Sequence, residues 1–153
     1  MELKQNLFGQ CQKYVNNRLK TVQEIISSNQ NALQSETKSS AGDKHETGRA
    51  MLQLEMEKAS QQLASIHQMK IVLERINNFK SETLVQKTAH LGSLVFTDTS
   101  SYYLSISAGQ LIVENNNYFA ISISSPIGKL LLGKSEKDSI SFNGNTITIQ
   151  EIQ

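Results

Sequence analysis

Apolar residues recur at Leu3, Leu7, Cys11, Val15, Leu19, Val22, Ile26 and Leu33, in steps of three and four, with Asn29 filling the gap. No proline interrupts the run, so the spacing predicts one long amphipathic helix. From Leu3 to Leu33 it would extend ~45 Å at 1.5 Å per residue. A polar residue at the Asn29 seam position fixes register at some cost in stability. A second stripe runs through Leu52, Met56, Ala59, Leu63, Ile66, Leu73 and Ile76. Each helix has one narrow apolar face, which predicts an antiparallel coiled-coil hairpin over residues 1–79. The polar break between the stripes, Ser35 to Gly48, is rich in Ser, Thr, Gly and charge and puts the tip near residues 35–48. Ser39, Ser40 or Asp43 could cap the returning helix.

After Phe79 the period changes. Residues 93–97, 102–106, 110–113, 118–123 and 146–150 are β-branched and aromatic and largely alternate, as strands do. Gly92, Asp98, Ser100, Gly109, Asn115 to Asn117 and Gly144 supply turns. Pro126, the only proline, opens a short apolar run that Gly133 closes, the mark of a short helix. The expected fold class is therefore α+β. A helical hairpin precedes a small antiparallel sheet domain with one short helix over residues 80–153, whose aliphatic content can bury a modest core.

Charge and composition narrow the function classes. Formal net charge is +1, too little to draw in nucleic acid or an anionic membrane. Residues 1–80 carry 11 Lys/Arg against 8 Asp/Glu, net +3, and residues 81–153 carry 4 against 6, net −2. A single cysteine, Cys11, excludes an internal disulfide and falls on the first apolar stripe as a small core residue. No apolar run approaches the ~20 residues of a membrane span, and the first residues lack the apolar core of a secretory signal. The expectation is a soluble cytoplasmic monomer with no membrane partner. His45, His67 and His90 are spread without carboxylate or thiol at ligand spacing, which argues against zinc. There is no Gly-x-Ser-x-Gly elbow and no glycine-rich phosphate loop.

Candidate chemistry sits in Gly42-Asp43-Lys44-His45-Glu46-Thr47, where two carboxylates stand three residues apart at the expected hairpin tip. If residues 43–46 begin the returning helix, Asp43 and Glu46 occupy neighbouring positions of one face. Over residues 35–50 Glu36, Asp43 and Glu46 are matched by Lys38, Lys44 and Arg49, so the tip is formally neutral.

The stretch Ile121-Ser122-Ile123-Ser124-Ser125-Pro126-Ile127-Gly128-Lys129-Leu130-Leu131-Leu132-Gly133-Lys134 closely resembles the C-terminal signature of Gre-type transcript cleavage factors. In that family a strand leads into Ser-Pro and a short helix ending in Gly-Lys, then an acidic turn and two closing strands. Glu136, Asp138, residues 139–142 and residues 146–152 occupy those places here. The family's coiled-coil tip reads Gly-Asp-x-x-Glu-Asn, which residues 42–47 resemble with Thr47 in place of Asn. A further acid of the family is Arg49 here. The acidic loop that precedes the signature strand in the family is reduced to Glu114-Asn115-Asn116-Asn117.

The resemblance spans the chain and implies an FKBP-like C-terminal domain and a role as an RNA polymerase accessory factor. Such a factor inserts its tip into the polymerase secondary channel, and its tip acids help hold a catalytic Mg²⁺ shared with the polymerase. It is not an enzyme alone; it stimulates the polymerase to cleave a backtracked transcript, so contact with the nascent RNA 3′ end is indirect. Hard oxygen ligands suit Mg²⁺, which keeps several waters and needs few protein carboxylates. On this resemblance Asp43 and Glu46 are the catalytic and metal pair, Ser125 and Pro126 the binding residues of the globular half. Lys44 and Arg49 could meet RNA or nucleotide oxygens. Two alternatives stay open: a channel-binding regulator that does not cleave, and a coiled-coil interaction module whose tip acids only cap a helix.

Overall fold

The computed structural model describes residues 2–38, 42–79 and 87–153, with side chains for all of these except 36–38 and 42–46. It is α+β. Two 37-residue helices, α1 (Glu2–Lys38) and α2 (Gly42–Asn78), precede β1 (Leu94–Thr97), β2 (Ser101–Ser105), β3 (Gly109–Val113), β4 (Asn116–Ser122), α3 (Pro126–Leu131), β5 (Ser139–Phe142) and β6 (Asn145–Ile152). The described residues form two compact units. One holds the start of α1, up to Tyr14, and Ile71–Gln153; the other is Val15–Lys70. The expected division between residues 79 and 80 borders 80–86, which lie outside the described residues.

Within Val15–Lys70 the heptad pattern is the burial pattern. Val15, Val22 and Asn29 are buried at steps of seven on α1, as are Ala59 and Ile66 on α2, while Leu19, Ile26, Leu33, Leu52, Met56 and Leu63 are half-buried. This suits a helical hairpin. The helical backbone reaches further into the polar segment than the composition suggests. Ser35 to Lys38 continue α1, and Gly42 to Gly48 already belong to α2. Neither stretch contains proline, and Gly48 inside a helix costs only ~1 kcal/mol, which the good helix formers around it offset.

The sheet has six strands in the order β3-β4-β2-β1-β6-β5. The expectation of an antiparallel sheet needs correction: β2 and β4 run parallel, with Tyr102 beside Phe119 and Leu104 beside Ile121. Strand β3 pairs antiparallel with the outer side of β4. Two chain reversals, before and after β3, therefore bring β4 back alongside β2 in the same direction. The second reversal is a two-residue turn with Glu114 and Asn115 both at positive φ, 49° and 67°, the hand that matches strand twist. Alternation of apolar residues fixes faces, not direction, so it cannot reveal a parallel pair.

Both faces of the sheet are covered. On one, Val95, Leu104, Ile140, Ile147, Ile149 and Ile152 pack with Leu131 of α3 and Ala89. A register shift between Phe96 and Thr97, opposite Glu151 and Ile149, leaves Gln150 as an extra residue. That bulge lets Ile152 share a face with Ile147 and Ile149 despite the odd spacing. On the other face Leu94 pairs with Tyr103, and Ser105 follows two residues on. There α1 supplies Cys11, whose Sγ lies 3.6 Å from Ser105 Oγ, and Gln10, whose Nε2 donates to the Ile112 carbonyl at 3.0 Å. Ile76 of α2 packs on Gly92, where an added Cβ would lie 3.3 Å from Ile76 Cγ2.

Candidate functional site

Asp43, Lys44 and Glu46 lie in the first two turns of α2. Their side chains lie outside the described residues, so the backbone alone speaks for them. A helical backbone from Gly42 onward sets Asp43 and Glu46 one turn apart on one face, with Cβ atoms ~5–6 Å apart. Near the helix start the orphan N–H groups favour negative charge, which suits Asp43 whether it binds a cation or only caps the helix. Two carboxylates can donate part of a Mg²⁺ shell and not a whole one, so the donor set fits an ion completed by a second macromolecule. Thr47 and Arg49 are exposed on the following turn.

Ser125 and Pro126 belong to the other compact unit and are placed by the strand-to-helix turn that the sequence predicts. Ser125 is the N-cap of α3, with extended backbone at φ −68° and ψ 157°. Its hydroxyl donates to the Ser122 carbonyl at 2.6 Å and accepts from the Gly128 N–H at 3.1 Å. Pro126 takes the first helical position, where its missing N–H costs nothing, and is exposed. Gly128 is required by closeness: a Cβ there would overlap the Ser122 carbonyl and lie 2.8 Å from Ser125 Oγ. The Ser-Pro-x-Gly order thus has a local structural cause, whatever it binds. Leu131 anchors the helix in the core, leaving Lys129 and Leu130 exposed beside it.

The acidic turn after α3 is also structural. Asp138 Oδ2 accepts from the Ser135 N–H at 2.8 Å. Glu136 Oε1 accepts from the Ile152 N–H at 3.2 Å and pairs with Lys87 Nζ at 3.3 Å. The backbone donor first, and Lys87 second, hold the Glu136 carboxyl below the usual carboxylate range.

One constellation escaped the sequence. His90 Nδ1 lies 2.6 Å from Ser93 Oγ and 3.1 Å from the Thr88 carbonyl, and its ring packs on Phe79 at 4.7 Å. Ser93 is fully buried and His90 half-buried, and the pair locks the entry to β1. Its only signal was His-Leu-Gly-Ser, a turn with a side chain able to reach back three residues. Among the described residues no group of three His, Cys, Asp or Glu side chains converges on a metal position, and no helix is long and apolar enough to cross a membrane. No protein-family model matches the chain, and no curated protein matches it either.

Proposed function

We propose that this protein is a Gre-like accessory factor of RNA polymerase. Its helices form an antiparallel coiled coil that enters the secondary channel, its sheet domain is FKBP-like and docks at the channel rim, and it stimulates cleavage of backtracked transcripts. The observation that carries the reading is the order of elements. Two 37-residue helices, with Asp43 and Glu46 in the first turns of the second, precede a sheet domain whose short helix opens with Ser125-Pro126. That order repeats the order of the motifs that resemble the Gre family.

In this reading Asp43 and Glu46 present carboxylates to a metal position that the polymerase completes. A divalent ion there would supply an acidified water for phosphodiester hydrolysis. Lys44 lies between the pair and Arg49 follows it, and both offer charge-assisted contacts to phosphate oxygens of RNA or a nucleotide. Ser125 and Pro126 belong to the docking surface.

The formal neutrality of residues 35–50 favours a second reading, a channel regulator that does not cleave. Adding the full chain to a stalled, backtracked complex of its own polymerase separates the readings. Short 3′ RNA fragments support cleavage, and binding with altered initiation but no fragments supports the regulator. Absence of binding leaves only an interaction module unrelated to transcription.

A further inference from the structure

Asn29 is more than nine-tenths buried, and its side-chain nitrogen Nδ2 has no hydrogen-bond partner. It stands at a seam position one heptad beyond Val22. A buried amide donor without a partner is a standing destabilisation that apolar replacement relieves.

The surroundings add to it. On α2, Leu52 is only half-buried, whereas Ala59 and Ile66, one and two heptads further along the same seam, are buried. Counted in equal helical rises from Lys38 and Gly42, Asn29 is level with residues 51–52. At that level Met51 of α2 is 61% exposed. Only nine residues of α1 follow Asn29, fewer than an isolated helix needs to hold itself together in water.

We propose that Asn29 divides the helical pair into a firmly held part and a separately opening part, the latter comprising residues 30–38 of α1 and the matching first turns of α2. The opening frees the Asn29 amide to find water or another acceptor, and it carries Asp43 and Glu46 with it. The device rests on the seam alone and holds whatever the first turns of α2 contact.

Hydrogen exchange on the full chain tests it. Amides of residues 30–38 and 47–52 should exchange at least ~10-fold faster than those of residues 16–26 and 59–69. Asn29→Leu should slow the first set by about tenfold or more and leave the second within about twofold. A Leu33→Ala variant should speed the first set and again spare the second. Equal rates along both helices, or an Asn29→Leu effect spread evenly over them, would overturn the proposal.

Discussion

Cys11 Sγ lies 3.6 Å from Ser105 Oγ, joining α1 to β2 across 94 residues of sequence. The contact is buried, and burial pushes the Cys11 thiol up from its ordinary value of 9.0 despite the opposing hydrogen bond from Ser105. Next to it Tyr103 is fully buried, and its phenol is pushed above 10.0, by burial first and then by Cys11. Thiol labelling at pH 8 should therefore be about a hundredfold slower in the native protein than in the unfolded chain. Labelling at the unfolded rate would contradict the packing of α1 on the sheet.

The same pair lowers stability at alkaline pH, opposed by Lys4, whose ammonium group burial pushes below its ordinary value. Above pH 9 the unfolded chain releases the thiol proton, and above pH 10 the phenol proton, while the folded chain keeps both. The folded state then binds more protons, so stability falls as pH rises through this window. Denaturant midpoints measured from pH 7 to 11 should drop beyond pH 9. In Cys11→Ala the drop should begin nearer pH 10, with a lower starting stability from the cavity.

The turn into α3 yields a graded pair of variants. Ser125→Ala removes the cap and should cost ~1 kcal/mol. Gly128→Ala forces a Cβ into the Ser122 carbonyl and should cost about 2–3 kcal/mol. Chemical denaturation checks both, and a neutral Gly128→Ala would refute the packing of this turn.

These elements also show what a sequence can and cannot disclose. Period and punctuation mark the helices, strands and α3, because Ser125, Pro126 and Gly133 act locally and burial follows period. The parallel β2/β4 pair was hidden, since strand direction depends on which edge β3 occupies. The Gln150 bulge was hidden too, because one extra residue in β6 is visible only against its partner strand. That α1 supplies Cys11 to the sheet's second face is long-range and leaves only an apolar stripe in the sequence. At the candidate site the positions of Asp43 and Glu46 were legible from the heptad interruption. In the proposed reading their chemistry depends on a second macromolecule, and no pattern within one chain encodes that.

The shared-metal account predicts a weak isolated site. Titration of the free protein with Mn²⁺ should show no binding tighter than the millimolar range, since Asp43 and Glu46 offer two carboxylates beside Lys44 and Arg49. Micromolar affinity would mean a complete metal site within the chain and would contradict the division of ligands.

The most direct test of the central proposal is transcript cleavage by the Asp43→Asn, Glu46→Gln double variant. In a backtracked complex the unaltered protein should release short 3′ RNA fragments. The double variant should still bind the polymerase while cleavage falls by at least about a hundredfold, as expected when ligands of a catalytic ion are lost. Cleavage at the unaltered rate by the double variant would contradict the account.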